Sequence, residues 1–232
     1  MEDAILSLPD GFADEAQLED FMTTPSTALK AALTSVPGDI MVLGVGGKMG
    51  PTLARLARRA APERRVYGVA RFSERALRQK LGSWGIECIA ADLLDREAIA
   101  RLPKPENVIF MAGRKFGTSG QEDLTWAMNA LVPALVAEAF KGSRVVAFST
   151  ANVYPFVSVL EGGATEALAP DPRGAYANSC VARERLFQYH SRKYDTPGRL
   201  IRLSYAIDMR YGVLHDVARK ILAGQEIDLA AG

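Results

Sequence analysis

Residues 39–60 read DIMVLGVGGKMGPTLARLARRA, and the order of residue types in that stretch decides the fold. A short apolar run, Ile40, Met41, Val42 and Leu43, stops at three glycines spaced three apart, Gly44, Gly47 and Gly50. An amphipathic helix is predicted next, with Leu53, Leu56, Ala57 and Ala60 on one stripe. Strand, glycine loop and helix in that order build a pyrophosphate site. Glycine permits a tight turn and a close approach of backbone to phosphate, and the helix N-terminus supplies unpaired N–H groups and a positive dipole end. Glycines also mark ordinary turns, so the context matters: a strand before, a helix after, and a second apolar strand over 65–70 at the distance a βαβ unit requires. The loop is therefore read as a dinucleotide site, with Gly44, Gly47 and Gly50 and the intervening Lys48 and Met49 against the cofactor.

Outward from this loop the pattern repeats. Strands are predicted over 40–43, 65–70, 86–90, 107–111, 144–148 and 199–203, and helices over 51–60, 73–81, 95–102, 121–140, 175–194 and 213–222. Ser73 and Asp95 read as N-caps and Gly82 as a helix stop. The strands are continuous apolar runs, as expected when helices cover both faces of a parallel sheet. Six strands alternating with helices predict a doubly wound α/β domain, a Rossmann-type NAD(P)-binding fold over 39–232. Residues 1–38 read as an acidic lead-in with one short helix, started by Thr24, Pro25 and Ser26.

Bulk properties narrow the function. A chain of 232 residues with 48% apolar content fits one large domain with an ample core. A net charge of +1 gives no electrostatic footprint for nucleic acid or an anionic membrane. Cys88 and Cys180 lie far apart without metal-type spacing, so no metal is expected and reduced thiols are the default. No apolar stretch reaches membrane-spanning length, and the start MEDAILSLPDG is acidic where a secretory signal would be basic and then apolar. The expectation is a cytoplasmic protein with a small-molecule substrate.

Chemistry concentrates at the predicted carboxyl ends of the strands. The second strand ends VYGVARF, which places Arg71 where a carboxylate would hold the adenosine ribose 2′-hydroxyl. A guanidinium there would accept a 2′-phosphate instead, with Lys48 adding charge nearby, so NADP is preferred and NAD is the alternative. The competing reading of both cations is solvated surface charge. Asp92, with Leu93 beside it, falls where the loop could touch the adenine, or else starts the next helix, a task Asp95 could already perform. Ala112 and Gly113 are small enough to leave room for a cofactor ribose. Arg114 and Lys115 then face the substrate cleft or simply the solvent. The fifth strand ends at Thr150, followed by Asn152 as a further substrate contact, and Tyr176 opens the long helix. A hydroxyl at the strand end can bind a substrate oxygen, and a phenol alongside can relay the proton that accompanies hydride transfer. A phenol of pKa about 10 does this near neutrality only beside a positive charge.

On these residues the chain resembles an extended, atypical short-chain dehydrogenase/reductase of the NAD(P)-dependent epimerase/dehydratase family, over about 39–211. The resemblance is carried by the Gly44/Gly47/Gly50 loop, Asp92–Leu93, Ser149–Thr150 with Val153–Tyr154, Tyr176 with Ser179, and Arg202, Leu203 and Arg210. It implies oxidation or reduction of a carbonyl or alcohol, often on a nucleotide sugar. Thr150 would polarise the substrate oxygen, Tyr176 would be the acid/base, and the helices over 121–140 and 175–194 would pair in a homodimer. Three departures stand out. The Tyr-x-x-x-Lys motif reads Tyr176-Ala177-Asn178-Ser179-Cys180, and a short neutral thiol can neither hold a ribose nor lower a phenol pKa. Arg183, seven residues from Tyr176 on the same helix face, lies one turn further along than that lysine would, where a long side chain could reach only partway. The usual sixth-strand asparagine stands as Tyr205. Little chain follows that strand, so the substrate-binding portion reads as truncated.

Two functions therefore remain in competition: an NADP-dependent oxidoreductase, epimerase or dehydratase, and a catalytically impaired dinucleotide-binding module serving as a cofactor sensor or assembly subunit. The loop GVGGKMG also resembles that of dihydrodipicolinate reductases and prephenate dehydrogenases, which lack the Thr150…Tyr176 arrangement. The cofactor assignment makes a direct prediction: titration of the intact chain shows tighter binding of NADPH than of NADH, and Arg71→Ala removes the difference. Equal affinities in the intact chain would exclude the NADP assignment.

Overall fold

The computed structural model describes residues 9–115, 120–158, 160 and 162–227. The acidic opening MEDAILSL, Phe116 and Gly117 after the fourth strand, and 228–232 of the closing EIDLAAG lie outside the described residues. The chain divides into two compact units, Met1–Arg202 and Leu203–Gly232.

The first unit is built on a six-stranded sheet. Its strands are β1 (Ile40–Leu43), β2 (Val66–Ala70), β3 (Glu87–Ala90), β4 (Asn107–Phe110), β5 (Arg144–Thr150) and β6 (Gly198–Leu203), in the order β3-β2-β1-β4-β5-β6. The order reverses beside β1, which pairs in parallel with β2 (Val42 opposite Gly68) and with β4 (Val42 opposite Ile109). All four residues of β1 are buried, and their alternation feeds two cores. Met41 and Leu43 join Val108, Phe110, Val136 and Phe140 on one face. Ile40 and Val42 join Ala54, Ala57, Leu81 and Ile86 on the other. A strand buried on both faces has no polar side chain to place, which is why β1 reads as an unbroken apolar run.

Helices α3 (Gly50–Ala60), α4 (Arg75–Ser83) and α5 (Arg96–Arg101) follow the first three strands. Asp95 caps α5 by accepting from the amides of Glu97 and Ala98, as its sequence position implies. Ser73 does not cap α4. The chain turns at Phe72, which has φ +49°, and this delays the helix until Glu74 occupies the cap position without a side-chain bond. Nor is Gly82 the stop: the left-handed residue is Gly85, at φ +73°, whose amide donates to the Gly82 carbonyl. The lead-in holds two helices, α1 (Glu15–Met22) and α2 (Thr27–Thr34), with Asp14 and Ser26 as caps. Both pack on α3. Arg59 donates to the Asp20 carboxylate (3.0 Å) and the Thr23 hydroxyl (2.9 Å), and Lys80 of α4 pairs with the buried Glu19 at 2.6 Å.

The single helix expected over 121–140 is three pieces: α6 (Glu122–Trp126), a π-helical segment over Ala127–Leu131 and α7 (Val132–Ala139). The widened turn rotates Asn129 into full burial, a place an unbroken α-helix with this apolar stripe would give to a hydrocarbon side chain. Helix α8 (Gly174–Tyr194) packs against α7 and β5 and ends on Asp195 in the left-handed conformation.

The second unit carries α9 (Val213–Leu222) and a tight Asp208–Arg210 ion pair at 2.7 Å. Tyr205 adopts φ +47°, a conformation asparagine tolerates far better than a bulky aromatic residue. The departure at this position is thus a tyrosine held in an asparagine's backbone geometry.

Two glycines of the loop are required by packing. A Cβ on Gly44, at φ +91°, would stand 2.6 Å from the Ala112 nitrogen, and one on Gly50 would stand 2.3 Å from the Val45 carbonyl oxygen. The same atom on Gly47 would meet nothing nearer than 3.6 Å. Gly44→Ala is therefore expected to lower the unfolding free energy by at least about 1–2 kcal/mol, and Gly47→Ala to change it by less than about 1 kcal/mol, in urea denaturation.

Candidate active site

The glycine loop leaves β1 and turns into α3 at the carboxyl ends of the strands, beside the reversal of strand order where α/β sheets open a crevice. Within the loop, Gly47 and Gly50 donate to the carbonyls of Gly44 and Gly47 at 3.2 Å each, while the amides of Gly46 and Met49 donate to no backbone acceptor among the described residues. A cavity of about 310 Å³ lies against this loop. Gly44 and Gly47 form one wall, Arg71 stands at the end of β2, Asp92 and Leu93 follow β3, and Ala112 and Gly113 follow β4. Seven residues singled out from the sequence thus share one cleft. Lys48 and Met49 are not among the cleft's lining residues; Lys48 is exposed and Gly50 is buried behind the loop. Asp92 accepts from the Leu94 amide at 3.0 Å, so it shapes its own turn while Asp95 starts the helix. Gly46, Phe72 and Ser73 also line the cleft, though none was read as a site residue from the sequence.

A second group gathers where β5 ends and α8 begins. Thr150 is buried, and its hydroxyl donates to the Asn152 side chain at 2.9 Å and accepts from the Asn152 amide at 3.2 Å. Tyr176 is half-buried, with the Lys115 ammonium 5.8 Å from its ring centre. Burial and the adjoining Cys180 push the phenol up to about 12, while hydrogen bonding with Thr150 and the charge of Arg183 pull in the opposite direction. Burial also raises Cys180, which is wholly enclosed. Arg114 is anchored, its amide donating to Asn129 at 2.9 Å and its guanidinium to Gln121 at 2.6 Å. These bonds tie the β4 loop to the start of α6.

Beneath both groups runs a chain of buried polar side chains whose connections, and whose members Asn129 and Glu184, the sequence did not disclose. Asn129 donates to the Arg114 carbonyl (2.9 Å) and the Ser179 hydroxyl (3.0 Å), and its oxygen accepts from Arg183 (2.7 Å). Arg183 also donates to the Phe148 carbonyl at 2.8 Å. One residue further, Glu184 is 1% exposed; it accepts from the Ser149 hydroxyl at 2.6 Å and from Arg202 at 3.0 and 2.8 Å, while the Arg202 guanidinium lies 4.7 Å from the Tyr154 ring centre. The signal that could have found this network is a lone asparagine inside the apolar run MNALVPALV, and a glutamate on a helix face otherwise made of Ala177, Cys180 and Phe187.

A model of the NAD dependent epimerase/dehydratase family matches residues 40–231. No curated protein matches the chain. Among solved structures, UDP-glucuronic acid 4-epimerase from Bacillus cereus in complex with NAD is 18% identical, with 81% of this chain and 63% of that one covered and a TM-score of 0.64. The Bordetella bronchiseptica enzyme WbmG in complex with NAD and UDP is 19% identical, with 82% and 61% covered and a TM-score of 0.68. UDP-glucose 4-epimerase from Thermotoga maritima with UDP-glucose is 18% identical, with 82% and 64% covered and a TM-score of 0.66. At such identities the likeness is one of fold, and the chain spans less than two thirds of the length of each.

The buried carboxylate gives a stability prediction. Arg202→Met leaves Glu184 charged and unpaired in the interior and is expected to cost about 3 kcal/mol or more in chemical denaturation. The double change Glu184→Leu/Arg202→Met is expected to recover most of it, because two apolar groups replace both charges. A double variant as unstable as the single one would show that packing, not charge, sets the cost.

Proposed function

The chain belongs to the NAD dependent epimerase/dehydratase family, and we propose that it binds a nicotinamide dinucleotide, NADP ahead of NAD, and acts on a carbonyl or alcohol of a small, sugar-like substrate. The observation that carries this reading is the one cleft lined by the glycine loop, Arg71, Asp92, Leu93, Ala112 and Gly113. Its walls fit a dinucleotide. Gly46 and Gly47 border it where side chains would intrude, loop amides of Gly46 and Met49 are available to a pyrophosphate, and Arg71 offers a bidentate cation to a 2′-phosphate. Asp92 and Leu93 would lie against the adenine and Ala112 and Gly113 against a ribose. When bound, the cofactor supplies the hydride donor or acceptor.

The chain's own residues would handle the proton. Thr150 offers its hydroxyl to the substrate oxygen, exchanging its bond to Asn152 for one to substrate. Tyr176 gives or takes the proton at that oxygen through its phenol. Lys115, beside the Tyr176 ring, and Asn152 would orient polar groups of the substrate. A cytoplasmic setting belongs to the same proposal, as does homodimer formation through α6–α7 and α8, the latter supported by exposed Trp126, Leu131 and Tyr189. The competing reading, a cofactor-binding module without turnover, draws support from a phenol held near 12 beside Cys180.

The two readings separate in one experiment. The chain is incubated with NADPH or NADP and a panel of nucleotide sugars and hydroxy acids, with turnover and cofactor binding measured in parallel. Turnover that Tyr176→Phe abolishes, with cofactor affinity retained, supports the enzyme. Because the step needing a base draws on phenolate, alcohol oxidation should keep rising with pH beyond 9, as the small phenolate fraction grows towards a pKa near 12. Cofactor binding without turnover on any member of the panel would establish the module instead.

A further inference from the structure

Arg183 is 6% exposed, and among the described residues no carboxylate lies within ion-pair distance of it. Its donors meet two neutral acceptors, the Phe148 carbonyl and the Asn129 side chain, and its Nε meets none. The Phe110 ring, 5.6 Å away, adds only a weak attraction. A guanidinium taken out of water without a counter-charge is strongly disfavoured, so a fold that keeps one has an anion to set against it. Glu184 is near but engaged, its oxygens taken by Ser149 and Arg202. The other ionisable groups acting on Arg183 are Cys180 and Tyr176.

We propose that Arg183 is the positive charge on which the Tyr176–Cys180 pair depends when it gives up a proton, a positioning residue acting from beneath the cleft. The inference rests on Tyr176 being the acid/base of the proposed reaction. Cys180 and Arg183 are one helical turn apart, and Tyr176 is one turn beyond Cys180, so the three form a column on α8. The cation's place is made by small neighbours. Cys180 fills little space, and a Cβ on Gly113 would stand 2.5 Å from the Arg183 guanidinium nitrogen. Asn129, turned inward by the π-helical segment, holds that same guanidinium nitrogen at 2.7 Å.

The groups facing the pair are few. Thr150 approaches from β5, Lys115 from the loop after β4, and Arg183 and Glu184 from α8 itself. Lys115 is exposed, so water and salt screen it, whereas the charge of Arg183 acts through protein. Burial raises both acids, and Arg183 opposes that rise in each. The chain would thus keep a cation beside the phenol although the position four residues after Tyr176 holds a thiol.

The test needs no turnover. Phenolate absorbance of the full chain is titrated with pH, and the Tyr176→Phe titration is subtracted to isolate Tyr176. Arg183→Met is expected to move the Tyr176 titration further up, leaving several-fold less Tyr176 phenolate than the parent at a fixed alkaline pH below its midpoint, Arg183→Lys to leave it near the parent, and Lys115→Met to move it less than Arg183→Met does. An unmoved titration in Arg183→Met, or a larger shift in Lys115→Met, overturns the proposal. If Arg183→Met does not fold, Arg183→Gln decides, since it removes the charge while keeping side-chain donors for the Phe148 carbonyl and Asn129. A raised titration there supports the role of charge, and an unmoved or lowered one overturns it. Loss of turnover alone, with these titrations as expected, would count against the proposed reaction and leave the role of Arg183 standing.

Discussion

The meeting of β1, its loop and α3 is the constraint on which the first unit depends. Gly44 lies so close to the backbone at Ala112, and Gly50 so close to the Val45 carbonyl, that neither position has room for a methyl group. These contacts fix where α3 begins relative to β1 and how near β1 lies to the loop after β4. The cleft is what remains between those two loops, so its width follows from backbone packing before any ligand is considered. Gly46 and Gly47 line the cleft too, and a Cβ on either would meet nothing nearer than 3.3 Å. One loop therefore holds two kinds of glycine, some required by the protein and some available to a ligand.

The other half of the site is organised by polarity inside the core. Helix α8 presents Ser179, Arg183 and Glu184 inward, and their partners come from three elements: Asn129 of the π-helical segment, the Phe148 carbonyl and Ser149 of β5, and Arg202 of β6. Buried polar groups are tolerated when they satisfy one another, and a set joined in this way holds its members in one arrangement. Ser149 and Thr150 are adjacent on β5. The first is held by the carboxylate beneath and the second turns its hydroxyl to Asn152, so the strand's end is fixed on one side and open on the other.

What could be read from the sequence follows from the range of each interaction. The central strands were legible because a sheet covered on both faces demands apolar runs, and β1 meets that demand at every residue, whereas the edge strands β3 and β6 hold no buried residue. The cleft residues were legible because a dinucleotide fold puts them at strand ends, a matter of counting along the chain. The cap of α4 was not, since a positive φ at Phe72 is set by the surrounding turn and leaves no mark in composition. Helix α1 escaped because its short apolar face is covered by α3, an arrangement its own residues do not announce. Asn129 and Glu184 escaped for a related reason: their partners lie up to 54 residues away, and one polar residue in an apolar stripe reads as surface. The bonds of Arg114 to Asn129 and Gln121 escaped too, because they depend on the folding of a helix no local pattern shows to be broken.

That break has a consequence of its own. A π-turn accommodates one more residue than an α-turn, so α6 and α7 are phased differently around a common axis. Deleting a single residue between Ala127 and Leu131 would let the helix run on as regular α, with better backbone geometry and α7 still seated on the sheet. The asparagine would then swing away from Arg183. Length at this point is conformational information: the chain carries one residue beyond what a helix needs, and that surplus orients the buried end of the site.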